Sequence, residues 1–282
     1  MRLPALATAT LPSRHRVFCT RPAEVPLLMK QTAPYFRHGI TLAAGDWVLD
    51  VGANIGLFSL QASEWGRRPL NGLAIEAAPA LAHALQANLA AHAPAPSLPG
   101  HVGLRAVACA AGAAQGEIEF NYFPRATMLS TAHPQALLGR TMRDQIAEEL
   151  AHLPARWRFL ARCPQAVRRA LVGLALKLWL RPRLHRCPVR TLSDLIEAHA
   201  VPRVDLLKID VEHAELDVLR GLSDAHWPGV RQVVMEVHDV HGRLAHVLAL
   251  LRRHGLGRIV HAQSPALARF GVWQVWAMRG VG

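Results

Sequence analysis

"VLDVGANIGLFSL" (Val48–Leu60) decides how this 282-residue chain is read. The run from Trp47 to Val51 is short and apolar, as a buried strand is. Ile55, Phe58 and Leu60 recur as one side of a helix. Between the two, Gly52, Ala53, Asn54 and Gly56 must turn the backbone tightly and keep it uncluttered, which glycine permits. A strand, a glycine turn and a helix start together form a common nucleotide-binding element.

The spacing narrows the nucleotide. A dinucleotide fingerprint, G-x-G-x-x-G from Gly52, would need glycine at positions that carry Asn54 and Leu57. A phosphate-binding G-x-x-x-x-G-K-[ST] loop is also absent. What stands here is D-x-G-x-N-x-G, and Glu76 closes the next apolar run, "GLAIE". An acidic residue at that place accepts both hydroxyls of a ribose, and Asp50 is expected to face a ligand ammonium. A ribose diol and an ammonium on one small ligand point to S-adenosylmethionine.

Working outward, strands and helices alternate. Pro79 opens a helix with Leu81, Leu85 and Leu89 at four-residue spacing. "VGLRAVACA" reads as a strand and "EIEFNYF" as a further extended piece. Thr191 or Ser193 caps the helix "TLSDLIEAH". The strand "VDLLKIDV" leads to the helix "EHAELDVLRGL", whose end suits Gly221. "RQVVMEVHD" is another strand, followed by a helix over "GRLAHVLALLRRHGLG" and a closing strand pair, "RIVHA" and "GVWQVWAM". This alternation predicts an open, mostly parallel sheet with helices on both faces. Ligands bind such sheets beyond the C-terminal strand ends, here Asp50–Gly56, Glu76, Asp210–Glu212 and Glu236–Asp239.

Three of these stretches carry a family resemblance. "VLDVGANIGLFSL", "LLKIDVEHAELDVLRGL" and "RQVVMEVHD" resemble, in order, the signature blocks of the FkbM family of S-adenosylmethionine-dependent methyltransferases. "YFRHGITLAAGDWVLDVG" and "FNYFPRATMLST" are similar to the branch found with polyketide and nonribosomal peptide assembly lines. The resemblance spans roughly residues 24–278 and thins in the middle. It implies a Rossmann-like class I methyltransferase fold with a seven-stranded sheet and transfer to a hydroxyl oxygen, here expected on a small molecule, either a secondary metabolite or a sugar. It also gives Asp50, Gly52, Asn54 and Glu76 to the cofactor, with Ala53 and Gly56 in the same turn. His213 departs from it, since the family usually has glycine there.

Removing the acceptor's proton needs a base at the rim. His238 is the expected base, neutral and oriented by Asp210 or Glu236, which share the catalytic assignment. The same three side chains could instead hold Mg²⁺ or Mn²⁺. Lys208, inside an apolar strand, requires a carboxylate partner, expected to be Asp210 or Glu236.

Composition bounds the rest. Apolar residues make up 51% of the chain, enough for a substantial core. Residues 1–40 read as a loose leader and a helical segment, and 41–282 as the methyltransferase domain with a basic helical, lid-like insertion at about 135–187. From Arg140 to Arg190 twelve Lys/Arg face only Asp144, Glu148 and Glu149 within a chain of net charge +12. An acidic carrier protein is an expected partner for that surface, with Trp157, Phe159 and Trp179 covering the acceptor. No basic, aromatic-rich strand of the kind that stacks bases is present, so nucleic acid is disfavoured. "LVGLALKLWL" is too short to span a bilayer and contains Lys177. Cys19, Cys109, Cys163 and Cys187 show no C-x-x-C spacing, which argues for reduced thiols in a cytoplasm. The rival functions are an N-methyltransferase and a non-catalytic cofactor-binding subunit.

Overall fold

The computed structural model describes residues 5–65, 67–92, 101–127, 130–131, 164–167, 170–171, 173–174, 181–264, 268 and 270–280. At its centre β3 (Trp47–Val51) pairs in parallel with β4 (Asn71–Ile75) on one side and β9 (Leu206–Ile209) on the other. β5 (Leu104–Val107) extends the sheet beyond β4, and β10 (Gln232–His238) extends it beyond β9, both in parallel. β12 (Val272–Met278) runs antiparallel to β10 and to the edge strand β11 (Arg258–Ala262). The resulting order, β11-β12-β10-β9-β3-β4-β5, is the seven-stranded, mostly parallel sheet of a Rossmann-like class I methyltransferase. The chain fills the sheet outward from β3 in one direction and then from β9 in the other. The reversal between β3 and β9 opens a crevice above their C-terminal ends.

Both faces are covered because the central strands are apolar on both sides. Leu49 and Val51 join Leu207, Ile209, Val233, Met235 and Val237 in one core. That core is closed by α4 (Leu192–Ala198), α5 (Glu215–Arg220) and α6 (Arg243–Arg253). Their alternating neighbours Val48, Leu206 and Val234 face the other way, onto Tyr35 and Phe58 of α2 (Leu57–Ala62) and the segment before β3. On that side α3 (Pro79–His92) buries Leu81, Leu85 and Leu89. Thr191 caps α4 in a capping box with Asp194, as its sequence suggests. No helix among the described residues is long and apolar enough to cross a membrane.

Two local readings need correction, and a third holds for a different reason. Residues expected to be a loose leader form the hairpin β1 (Ala7–Thr10) and β2 (Arg16–Cys19), ahead of α1 (Val25–Thr32). Buried Asn88 of α3 fastens it, accepting from Phe18 N at 2.7 Å and donating to Phe18 O at 2.8 Å. Arg183 to Cys187, assigned to the helical insertion, begin the strand β8 (Arg183–Arg190). β8 pairs with β7 (Gly116–Tyr122) and β6 (Ala110–Ala111) in a second, small sheet. Gly221 does end α5, but with φ −73. Its need for glycine is steric, since an added Cβ would stand 2.3 Å from Gly112 O. Within the basic insertion Gln165–Val167, Ala170, Leu171, Gly173 and Leu174 are helical. Trp157, Phe159, Trp179 and most of the basic surface expected to meet an acidic partner lie outside the described residues.

Candidate active site

The glycine turn after β3 is shaped by one close approach. Gly52 adopts φ +72, and a Cβ there would lie 1.9 Å from Asp210 O. Only glycine fits between the ends of β3 and β9. Gly52 N and Ala53 N both donate to Ile75 O at 3.0 Å, which ties the turn to the end of β4. Asn54 follows at φ +52, and its side-chain oxygen accepts from Ile55 N at 2.9 Å. Gly56, at φ +87, starts α2 with Leu85 packed against it.

Glu76 sits just beyond β4, buried beside this turn. Its Oε2 accepts from Asn54 N and its Oε1 from Ala78 N, each at 2.8 Å. Burial raises the Glu76 carboxyl pKa, against these two N–H groups, which favour the charge. Each oxygen keeps a second lone pair, so the pair can still accept from two hydroxyls on a fixed baseline.

Asp50 is placed differently. It is fully buried, accepts from Ser59 Oγ at 2.7 Å and lies 3.0 Å from Lys208 Nζ. Asp50 and Lys208 are register partners on β3 and β9. Asp50 therefore has no surface for the ligand ammonium it was expected to meet. It is also the near partner of Lys208, with Asp210 more distant at 3.7 Å, where Asp210 or Glu236 had been expected. Burial opposes the Lys208 ammonium, but Asp50 and Asp210 outweigh it and raise its pKa. Lys208 donates to Gly52 O at 2.8 Å, so this buried pair braces the glycine turn from below.

The rest of the rim gathers around His238. Asp210, Glu236 and His238 share this neighbourhood, as expected, but the contacts of His238 go elsewhere. Its Nδ1 lies 2.5 Å from Glu215 Oε1 and its Nε2 3.1 Å from Glu212 Oε2. Glu215 is wholly buried at the start of α5 and is held by Arg243 of α6 at 2.9 Å. Burial works against the Glu215 charge, yet His238 and Arg243 keep its carboxyl below the usual range. Burial likewise opposes the His238 charge, but the two glutamates push it up to about 10. The two glutamates therefore favour the imidazolium form of His238 at neutral pH, where a neutral base was expected from the sequence. The reason is that two carboxylates, not one, flank the ring.

Glu212 is raised by its own burial, against His238. Glu236 is pushed up to about 8 by burial first and then by the charge of Asp210. Among the described residues its hydrogen bond is a long one, 3.4 Å from Gln274 Nε2. Tyr35 adds a buried phenol whose pKa is raised well above normal by burial, Asp210 and Glu236, so it stays protonated. Among the described residues, the side chains grouped closely enough to hold a metal ion are not the expected Asp210, Glu236 and His238. Ligand atoms of Glu212, His213 and His238 lie within 4.8 Å of one another.

Sequence reasoning passed over Glu215, Arg243 and Tyr35. Glu215 carries no local signal of this role, because it reaches His238 only through the packing of α5 on β10.

Comparison with known proteins gives the family. Residues 184–256 match the model of the methyltransferase FkbM domain. The chain is 36% identical over 255 residues to the 31-O-demethyl-FK506 methyltransferase FkbM of Streptomyces tacrolimicus, covering 88% of this chain and 86% of that protein. It is 35% identical over 260 residues to the AMB antimetabolite synthetase AmbE of Pseudomonas aeruginosa. There it covers 87% of this chain but spans only 11% of the much longer synthetase. The methyltransferase sdnD of Sordaria araneosa is 31% identical over 215 residues, 76% of this chain and 74% of its own length.

Proposed function

The chain belongs to the FkbM methyltransferase family, and from that premise we propose that it is an S-adenosylmethionine-dependent O-methyltransferase acting on a hydroxyl of a small molecule of secondary metabolism. The observation that carries the cofactor is Glu76, whose two oxygens are positioned by backbone N–H groups and each retain a lone pair for a ribose hydroxyl. The relative named for 31-O-demethyl-FK506 supports oxygen as the acceptor atom.

When bound, S-adenosylmethionine supplies an activated methyl group for in-line attack by the acceptor oxygen. The chain contributes position and proton removal. Gly52 keeps the turn low and Lys208 braces it, so the ligand lies against backbone rather than side chain. His238, already carrying both ring protons, cannot take another. It holds Glu212 in place and offsets the charge of the rim carboxylates. Glu236, whose carboxyl is pushed up to about 8, receives the acceptor's proton in its ionised form, so turnover should rise as pH climbs towards and past that value. Glu236 lies on the His238 face of β10, facing Gln274 of β12 in register.

The test uses purified protein, methyl-labelled S-adenosylmethionine and a metabolite extract from a strain lacking the gene. The expected product is a metabolite heavier by one methylene, with the label on oxygen by NMR. Glu236→Gln should lower turnover by ~10²–10⁴ and leave cofactor affinity unchanged. A label on nitrogen, or full turnover in Glu236→Gln, overturns this reading.

A further inference from the structure

We propose that Glu212, His213 and His238 form a binding site for one divalent first-row transition ion of the Mn²⁺-to-Zn²⁺ series. One ligand atom from each lies within 4.8 Å of the others, at the C-terminal end of β10 and the turn into α5. The His238 Nε2 to Glu212 Oε2 separation is 3.1 Å. Two ligands at ~2.1 Å from an ion stand ~3.0 Å apart at a right angle and ~3.4 Å apart in a tetrahedron, so this edge already suits coordination. In its absence a proton bridges the same two atoms. An ion would take the proton's place. The third ligand, His213, has a ring nitrogen within 4.8 Å of the other two ligand atoms.

The surroundings are those of a held ligand set. His238 Nδ1 is engaged by Glu215, which fixes the tautomer and leaves Nε2 for a metal, the carboxylate–histidine arrangement found behind metal-ligating imidazoles. The same Glu215 oxygen accepts from His213 N at 3.2 Å and His238 N at 3.3 Å, so one buried carboxylate pins the backbone of both histidines. Arg243 secures its other oxygen at 2.9 Å. Glu212 O is held in turn by Thr131 Oγ1 at 2.9 Å. His213 adopts φ +68, a left-handed conformation that costs ~1–2 kcal/mol outside glycine. Its ring centroid lies 4.4 Å from that of His238. Backbone strain kept at a cluster of ligating side chains points to function.

Two imidazoles and a carboxylate select transition ions over Mg²⁺ and Ca²⁺, which prefer all-oxygen sites. Three protein ligands leave coordination positions for an oxygen from solvent or from an acceptor hydroxyl. If the O-methyltransferase reading holds, that oxygen is acidified beside Glu236, and the ion assists proton removal.

The test starts from untagged protein stripped with chelator and titrated with Zn²⁺ or Co²⁺ by calorimetry, with Co²⁺ also followed by visible absorption. One ion per chain is expected, with no binding of Mg²⁺ or Ca²⁺ at the same concentrations. His213→Ala and Glu212→Gln should each weaken binding by at least ~100-fold. Unchanged circular dichroism and S-adenosylmethionine calorimetry will confirm that both variants are folded. Absence of saturable binding in the wild type, or affinity unchanged in both variants, overturns the site. Failure of cofactor binding in the wild type counts against the methyltransferase reading instead, so the two outcomes are separable.

Discussion

Replacing Lys208 by methionine removes the ammonium under the glycine turn while keeping most of the length of the side chain. Lys208 and Asp50 are 3% and 1% exposed and 3.0 Å apart. At an effective dielectric of about 20 their attraction is about 5.5 kcal/mol, an upper figure because both groups lost hydration on burial. The variant leaves Asp50 buried without its ammonium partner, with Ser59 Oγ as its remaining hydrogen-bond donor. Gly52 O also loses its 2.8 Å donor. Removing one partner from a buried pair typically costs ~3–5 kcal/mol, a large share of the ~5–15 kcal/mol that holds a domain folded. Urea unfolding of Lys208→Met should show that loss as a lower midpoint with an unchanged slope. Asp50→Asn should cost less, because Lys208 keeps Gly52 O and Asp210. The double variant should recover at least ~1.5 kcal/mol of the summed losses, since the two residues interact directly. A loss under ~1 kcal/mol for Lys208→Met, or strict additivity in the double variant, would refute the brace.

Two further outcomes follow from burial and hydrogen bonding. Glu76→Ala should weaken S-adenosylmethionine binding by ~1.5–3 kcal/mol, the range for hydrogen bonds to a charged group, whereas unchanged affinity by calorimetry places the ribose elsewhere. Burial pushes the Cys109 and Cys187 thiols up to about 11, so both are neutral below that pH and only about one in a thousand is thiolate at pH 8. Alkylation of the native protein at pH 8 should leave peptides carrying Cys109 and Cys187 unmodified by mass spectrometry until denaturant is added, and rapid native labelling of either contradicts the packing.

What was legible in the sequence was whatever depended on local pattern. β3, β4, β9 and β10 are short apolar runs, and α4 announces itself through the Thr191–Asp194 cap. The N-terminal hairpin was not legible because what fixes it to the rest of the fold is Asn88, seventy positions away. β8 was missed for a related reason. It carries Arg183, His185, Arg186 and Pro188, a poor strand by composition, and it exists because β7 offers an edge along its whole length. Tertiary pairing overrides a weak propensity of that kind.

The same distinction separates two carboxylates that look alike in the sequence. Asp50 and Glu76 lie toward the ends of consecutive strands, and both were read as ligand contacts. Asp50 is still inside β3, where register sets it opposite Lys208 and the pleat turns it under the turn. Glu76 is one residue past the end of β4, free of the ladder on its β3 side, and its carboxylate meets the backbone N–H groups of the turn itself. One position relative to a strand end thus divides a brace from a candidate ligand. His238 shows the rule again: it ends β10, and the neighbours that set its charge come from α5 and the turn before it, whose placement no strand pattern reveals. Identities at the rim were readable because residue type limits chemistry. Partners were not, because two strands and a helix meet there from positions far apart in the chain.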